Sequence, residues 1–286
     1  MSPDFTFVTC SALPNLDPDD RLALDLINGR GAAAVVAVWD DPQVDWARAG
    51  ICVLRSTWDY HLRHEQFLRW CSNVAQATRL YNPLPLIRWN IVKNYLQQLE
   101  LAGVPIVPTH WVERGSRVDL AALLSSRAWP RAVIKPSIGL STYGVRRVSQ
   151  AGDGVQGDQM HLDSLLQRHD VLVQPYIGSV NSYGERALMF IDGQFSHAAR
   201  KTAFQALLPA GEAGETPATA TPQEIAVASQ AVAALPQPSL YARVDLVHDE
   251  NARPLVLELE VIEPTLFLGM AAHAPGRFAD AVMALR

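Results

Sequence analysis

An acidic hairpin near the C-terminus is the feature that most constrains the fold of this chain. Two strand-like segments, 241–248 and 254–261, lie on either side of a five-residue turn. Residues two apart in a strand face the same side, so Glu258 and Glu260 share one face. The intervening residues are mostly apolar and fit a sheet that is buried on its other face. The pattern predicts an antiparallel sheet with an acidic face.

The geometry of the turn adds a third carboxylate to this face. If the turn centres near Asn251, Asp245 lies opposite Glu258, and Arg243 lies one step further along. Three carboxylates a few Å apart repel one another, and a hard divalent cation such as Mg²⁺ would relieve that repulsion. We therefore predict a metal site at Asp245, Glu258 and Glu260; a solvent-facing acidic strand is the alternative.

The first 88 residues alternate between strand and helix patterns. Continuous apolar runs of this kind are typical of strands that are covered on both faces. The order strand, helix, strand predicts a small parallel sheet. The segments are 5–10, 34–39 and 51–54 as strands, and 17–28 and 65–77 as helices.

The remaining residues form two further predicted units, 89–175 and 176–286. In the first, Asn90 is a candidate N-cap for a helix that ends at Gly103, and 104–109 is extended. Further strands (131–135, 144–148, 171–175) and helices (118–127, 160–168) complete it. In the second, Asp192-Gly193 is a type I′ turn signal between strands 185–191 and 194–200. A loop at 209–223, a helix at 222–235 with a capping box from Thr221, and a helix at 277–285 complete the prediction.

Composition limits the class of protein. A chain of 286 residues suits two or three domains, and its 49% hydrophobic content can fill a core. The net charge of −5 argues against broad binding to nucleic acid or anionic membranes. No apolar run reaches about 18 residues, and no hydrophobic signal core is present. We expect a cytoplasmic protein with reduced, buried thiols at Cys10, Cys52 and Cys71.

A lysine and a glycine-rich loop form a second candidate binding element. Lys135 ends a predicted strand, and the following loop to Gly144 contains two glycines together with Ser141 and Thr142. Backbone N–H groups in such a loop can wrap phosphates while the lysine supplies charge. No helix follows, so this is neither a Walker A loop nor a dinucleotide fingerprint. An ordinary hairpin loop is the alternative.

Two further segments could contact a ligand. Arg200 and Lys201 end a strand whose partner carries Arg186, and these three could approach a phosphate or carboxylate; a solvated strand end is the alternative. The segment 173–177 joins the second unit to the third. Its free backbone groups could recognise an adenine edge, unless it is a plain linker.

In this order, the elements resemble the ATP-grasp superfamily over roughly residues 90–270. The resemblance implies an α/β protein of ATP-grasp type: a small parallel-sheet domain (1–88) precedes two ATP-grasp domains (89–175 and 176–286) that hold ATP between them. It implies ATP with Mg²⁺, two ions by analogy, as cofactors. The residues it assigns are Lys93 and Lys135 as nucleotide lysines; Ile138, Gly139, Ser141, Thr142 and Gly144 as a phosphate lid; Gln174, Pro175, Tyr176 and Ile177 as an adenine hinge; Arg186, Arg200 and Lys201 near the γ-phosphate; and Asp245, Glu258 and Glu260 as metal ligands.

A narrower likeness is to the bacterial branch that contains the O-ureido-D-serine cyclo-ligase of D-cycloserine biosynthesis. Segments 54–60, 89–96, 103–109 and 257–264 carry it. One departure from glutathione-synthetase-like members is Glu258-Leu-Glu260, where those members have Glu-x-Asn. The implied reaction activates a carboxylate as an acylphosphate for attack by a nitrogen of the same molecule. A two-substrate amino-acid ligase and a non-catalytic nucleotide-binding regulator are the alternatives.

The implied partner is a small, amino-acid-like substrate, with no nucleic acid and no membrane; a homo-oligomer is left open. Ligands bind at the carboxyl ends of parallel strands, which selects the end of the strand 51–54. Glu263 and Thr265, just beyond the metal ligands, could hold a substrate ammonium. The substrate-side candidates are Arg55, Ser56, Thr57, Tyr60, Arg243, Glu263 and Thr265.

Overall fold

The N-terminal part of the chain forms a four-stranded, all-parallel sheet in the order β2-β1-β3-β4, as the alternating pattern predicts. The computed structural model describes residues 2–140, 142–152, 154–202 and 214–286. The first helix begins as expected, because Asp17 caps it by accepting a hydrogen bond from the Asp19 backbone N–H at 3.0 Å. The elements are β1 (Phe5–Thr9), α1 (Pro18–Gly29), β2 (Ala34–Val38), β3 (Ile51–Ser56), α2 (His64–Ala77) and β4 (Leu80–Tyr81).

The middle of the chain forms a four-stranded antiparallel sheet in the order β5-β8-β6-β7. Two short helices precede it, and two more pack their leucines against one of its faces. Its elements are α3 (Leu84–Asn90), α4 (Tyr95–Leu101), β5 (His110–Val112), α5 (Leu120–Ser126), β6 (Arg131–Pro136), β7 (Arg146–Ser149), α6 (Val155–Leu166) and β8 (Val171–Pro175).

The C-terminal part forms a five-stranded antiparallel sheet in the order β11-β10-β9-β12-β13. The turn between β9 and β10 has φ values of 50° at Asp192 and 69° at Gly193, which is the predicted type I′ geometry. Thr221 and Glu224 form the predicted capping box. The elements are β9 (Glu185–Ile191), β10 (Gln194–Lys201), β11 (Glu215–Ala218), α7 (Pro222–Ala233), β12 (Tyr241–His248), β13 (Pro254–Glu260) and α8 (Ala274–Met283).

The predicted N-cap role of Asn90 is wrong. Asn90 is the last residue of α3, and its side-chain amide donates to the Leu259 carbonyl at 2.8 Å and accepts from the Val261 N–H at 3.1 Å. The side-chain amide of Asn90 therefore satisfies backbone groups at the end of β13 and joins this strand to α3. As a result, Lys93 lies in the turn between α3 and α4 rather than in a helix, and its backbone N–H donates to the Ser137 carbonyl at 2.8 Å.

One loop prediction is confirmed and one changes. Residues 104–109 are extended, as predicted, and Ile106 bridges to Val256 of β13. The predicted loop 209–223 lies partly outside the described residues, and its described part includes β11, which pairs with β10. The residues of β11 include alanine, threonine and proline, which do not indicate a strand by themselves. The segment is a strand because it pairs with β10 at the edge of the sheet.

The three cysteines are free and buried, as expected. Burial raises the pKa of the Cys52 thiol to about 12. Among the described residues, no helix combines the length and the apolar character needed to cross a membrane.

A buried arginine joins the parallel sheet to the C-terminal sheet. Arg55, at the end of β3, is fully buried; its Nε donates to Asp20 of α1 at 2.8 Å, and its Nη2 donates to the Pro264 carbonyl at 2.6 Å. Its guanidinium lies 4.5 Å from the ring centre of Tyr241. The side chain thus acts as a charged, hydrogen-bonded connector between two sheets.

Replacing Arg55 with alanine should lower the free energy of unfolding by about 3–5 kcal/mol, because it leaves the buried Asp20 carboxylate without its partner. Urea unfolding followed by circular dichroism measures this. Arg69→Ala, which removes an exposed ion pair with Glu65, should cost less than about 1 kcal/mol. Equal effects of the two substitutions would contradict the connector role.

Candidate active site

A cavity of about 790 Å³ lies between the middle sheet, the C-terminal sheet and the loop after β3. This volume is in the range of small-molecule sites. One half of the cavity is apolar and the other half is densely charged. The predicted residues that line it are Tyr60, Lys93, Lys135, Gly139, Thr142, Gln174, Pro175, Tyr176, Ile177, Lys201, Arg243, Glu258, Glu260, Glu263 and Thr265.

The acidic face of the C-terminal hairpin forms the floor of the charged half. Asp245 pairs with Glu258 and Arg243 with Glu260 across β12 and β13, which is the register that the turn predicts. One carboxylate oxygen from each of Asp245, Glu258 and Glu260 lies within 4.8 Å of the other two. Three hard oxygen donors at this spacing fit a magnesium ion whose remaining ligands are water or phosphate.

Cationic side chains cross-link these carboxylates. Lys93 Nζ lies 2.6 Å from Glu258, and Lys201 Nζ lies 2.8 Å from Asp245. Arg243 reaches Asp245 at 2.9 Å and also contacts Glu260. The acidic face can be partly buried because a cation lies against each acid: Arg243 from β12 itself, Lys201 from β10, and Lys93 from the turn between α3 and α4.

The pKa values follow from this pairing. Burial would raise the pKa of Asp245, but Arg243 and Lys201 outweigh burial and lower it to about 2. The pKa of Glu258 is also lowered, since the charges of Lys93 and Lys135 overcome the effect of burial. In Glu260 burial prevails over Arg243 and raises the pKa to about 7.

Two charged groups of the cavity lack a direct partner. Within the described ranges, neither the ammonium of Lys135 nor the carboxylate of Glu263 makes a hydrogen bond or an ion pair, although both residues are buried. Burial is the largest effect on both and disfavours the charged form: it lowers the pKa of Lys135 and raises that of Glu263 to about 8. The cavity thus presents one unpaired cation and one unpaired acid.

The apolar half is lined by side chains from all sides of the cleft: Val107, Val133, Val145, Tyr176, Ile177, Val180, Val247 and Leu257. Gln174 and Pro175 at the end of β8 also lie here, and Gln174 donates from its side chain to Thr109 Oγ1 at 2.9 Å. The role of this segment as an adenine hinge stays a prediction.

The glycine-rich loop covers the charged half. Lys93 Nζ donates to the Gly139 carbonyl at 2.8 Å, and the ring of Tyr143 meets that of His61 at 5.2 Å between centroids. Gly144 has a φ of 68°, and a Cβ there would approach Pro136 to 3.0 Å, so this turn requires glycine. Ile138 and Gly144 do not line the cavity, and Ser141 lies outside the described residues.

The positions of Arg186 and Arg200 contradict their predicted place near a γ-phosphate. Arg186 stacks on Tyr183 at 3.8 Å and donates to its carbonyl, to which Arg200 also donates. Alternation along the strands is the reason: Glu185 and Lys201 face the cavity, so their neighbours Arg186 and Arg200 face away. Only Lys201 of the three predicted basic residues reaches the cavity.

The segment after β3 is only partly as predicted. Arg55, Ser56 and Thr57 are buried behind the cavity wall, where Ser56 donates to Asp20 at 3.0 Å. Tyr60 does line the cavity. The sequence reasoning missed Trp58 and His61 as site residues. The alternation rule could have identified Glu185, which is in register with Lys201 and lies 3.3 Å from its Nζ.

Comparison with known proteins agrees with this architecture. Residues 5–82 match the family model described as the D-cycloserine synthetase DcsG, N-terminal domain. The cycloserine biosynthesis protein DcsG of Streptomyces lavendulae is 36% identical over 283 residues, which cover 93% of each chain. The crystal structure of D-cycloserine synthetase DcsG matches with a TM-score of 0.87 at 34% identity, over 99% of each chain.

More distant structures share the fold alone. The ATP-grasp ligase PsnB, complexed with a precursor peptide and AMPPNP, matches with a TM-score of 0.66 at 16% identity, over 99% of this chain and 97% of that one. The D-alanine–D-alanine ligase of Bacillus anthracis, complexed with ATP, matches at 0.68 and 14%, over 99% and 96%. The fold is that of the ATP-grasp ligases. Within that class, the chain belongs to the DcsG family of D-cycloserine synthetases.

Glu263 should give the free energy of unfolding a characteristic pH dependence. Its pKa is about 8 in the folded chain against an ordinary value of 4.5, so between these values the folded chain holds a proton that the unfolded chain releases. Stability therefore falls as pH rises through this window, by roughly 1.4 kcal/mol per pH unit at most.

Urea unfolding at pH 5 and pH 8 measures this contribution. Glu263→Gln should remove it, so the variant should gain stability relative to the unsubstituted chain as pH rises. Glu113→Gln, an exposed change, is the matched control. Parallel pH curves for the Glu263 variant and the unsubstituted chain would contradict the buried acid.

Proposed function

We propose that this chain is an ATP- and magnesium-dependent ligase that converts O-ureido-D-serine to D-cycloserine. The observation that carries the proposal is the convergence of Lys93, Lys135, Glu258 and Glu260 on one cavity that also has an apolar slot. Asp245 does not line the cavity, but one of its carboxylate oxygens lies within 4.8 Å of oxygens of Glu258 and Glu260. The 36% identity to a cycloserine biosynthesis protein over 93% of both chains supports the choice of substrate.

The two halves of the cavity suit the two ends of ATP. The apolar half would hold the adenine ring beside Tyr176 and Ile177. Lys135, which has no direct partner within the described ranges, would bind the α- and β-phosphates, and Lys93 would join it on leaving Glu258. The loop around Gly139 would close over the phosphates.

Asp245, Glu258 and Glu260 would hold the metal, and a set of three carboxylates has enough oxygens for two ions. Bound Mg²⁺ supplies positive charge that neutralises the phosphates as charge develops on them. Lys201 and Arg243 keep the carboxylates oriented from either side. This pairing would also hold Asp245 ionised at every pH at which the enzyme works.

The chemistry needs positioning rather than a protein nucleophile. The substrate carboxylate attacks the γ-phosphorus, ADP leaves, and an acylphosphate remains. The ureido nitrogen next to the oxygen then attacks the acyl carbon, and phosphate leaves as the five-membered ring closes. One water removes the carbamoyl group as carbon dioxide and ammonia. The cavity wall brings these groups together and excludes bulk water.

Each predicted domain would contribute to one part of the site. Residues 89–175 and 176–286 would enclose the nucleotide, while residues 1–88 would close the substrate end through Trp58, Tyr60 and His61. We place the reaction in the cytoplasm, in agreement with the free thiols. The partner is a small molecule that resembles an amino acid.

The test is ADP release with single substrates. O-ureido-D-serine alone should support turnover, because the nucleophile belongs to the same molecule. A requirement for an added amine would instead indicate a two-substrate ligase. ATP binding without ADP release across a panel of amino acids would indicate a non-catalytic nucleotide-binding protein.

Glu258→Gln should lower kcat by roughly 100-fold or more, because it removes a charge from the metal site and frees Lys93 from its partner. A coupled ADP assay measures the change. Glu100→Gln, on the exposed end of α4, should leave kcat unchanged. Wild-type turnover in the Glu258 variant, with the fold intact by circular dichroism, would contradict the metal site.

A further inference from the structure

We propose that Glu263 binds the α-amino group of the substrate as an ammonium ion and thereby orients the substrate in the cavity. The inference rests on the proposed function for the identity of the substrate. It makes Glu263 a specificity-determining residue for an amino-acid-like substrate.

The first support is the pairing pattern of the cavity. Asp245, Glu258 and Glu260 each contact a lysine or arginine, whereas the Glu263 side chain has no such contact within the described part of the chain. Glu263 is only 3% exposed, so its carboxylate is largely removed from bulk solvent. An unpaired buried carboxylate is costly. A ligand cation would remove that cost, which makes Glu263 a binding site for positive charge.

The second support is the fixed backbone that carries this side chain. The Glu263 carbonyl accepts a hydrogen bond from Trp58 Nε1 at 3.0 Å, and the next carbonyl, that of Pro264, accepts from Arg55 at 2.6 Å. Arg55 lies near the end of β3 and Trp58 in the loop that follows. The backbone of Glu263 is therefore held against the parallel sheet at the edge of the cavity.

The third support is the chemistry around the carboxylate. Trp58 and Tyr60 line the cavity beside Glu263, and burial together with the Glu263 charge raises the pKa of the Tyr60 phenol. Aromatic rings next to a carboxylate are a favourable environment for an ammonium ion. A carboxylate would repel a phosphate. We therefore assign the phosphates to the side of Lys135 and the ammonium to the side of Glu263.

This placement orients the substrate for ring closure. With the ammonium held at Glu263 and the carboxylate directed towards the nucleotide, two substituents of the α-carbon are fixed and the ureido nitrogen can turn onto the acyl carbon. In that step a C–N bond forms, the bond from carbon to the phosphate oxygen breaks, phosphate leaves, and the nitrogen loses a proton.

The experiment compares O-ureido-D-serine with its des-amino analogue, 3-(ureidooxy)propionate, in the wild type and in Glu263→Gln. The wild type should have at least a 10-fold lower KM for the amino substrate. The variant should lose this preference through a rise in the KM of the amino substrate, while the KM for MgATP changes less than about 2-fold. Glu113→Gln should behave as the wild type.

A variant that keeps the full preference for the amino substrate would overturn the proposal. So would a wild type that has equal KM values for the two compounds, a result that does not depend on the folding of any variant.

A binding measurement separates this inference from the proposed function. In the presence of MgAMPPNP, calorimetry with D-serine and with 3-hydroxypropionate compares ligands that differ only in the amine. Binding of D-serine that is lost in Glu263→Gln would support Glu263 even if O-ureido-D-serine released no ADP. Equal binding of the two ligands, or binding of neither, would contradict it.

Discussion

The buried ion pairs on the acidic face of β12 and β13 are the constraint on which the site depends. Three carboxylates at this spacing cannot share a buried surface unless each is neutralised. Lys201 on β10 and Arg243 on β12 supply two of the compensating charges from within the C-terminal sheet, and Lys93 supplies the third from the turn between α3 and α4. Neutralisation of Glu258 therefore depends on the packing of the middle part of the chain against the C-terminal sheet.

The same network explains how a stable fold can also be a binding site. Paired groups hold the cavity open as a charged cleft, whereas the two groups left without a direct partner in the described ranges, Lys135 and Glu263, lie where a ligand must supply the opposite charge. ATP and an amino-acid-like substrate together would meet both requirements. Burial destabilises the charged forms of Lys135 and Glu263 when no ligand is bound. The same burial favours ligands that bring the opposite charge to each of them.

Local signals in the sequence predicted much of the fold. The cap at Asp17, the turn at Asp192-Gly193 and the capping box at Thr221 depend only on near neighbours, and each was correct. The pairing of Asp245 with Glu258 followed from the length of one turn.

Long-range contacts decided the rest. Arg55 became a connector because Asp20 and Tyr241 lie on either side of it, which no local pattern shows. Arg186 and Arg200 are cross-strand partners on the face opposite to that of Glu185 and Lys201, and the prediction did not apply this alternation to the hairpin. The missing partner of Glu263 could only be seen once every neighbour was in place.

We propose that metal and nucleotide bind together, because a move of the Lys93 ammonium from Glu258 to a phosphate would free both oxygens of that carboxylate for a cation. Electron paramagnetic resonance of Mn²⁺, titrated with and without AMPPNP, tests it most directly. The account predicts that AMPPNP tightens Mn²⁺ binding at least 10-fold in the wild type and that Glu258→Gln removes this gain. Equal Mn²⁺ affinity with and without the nucleotide would contradict it.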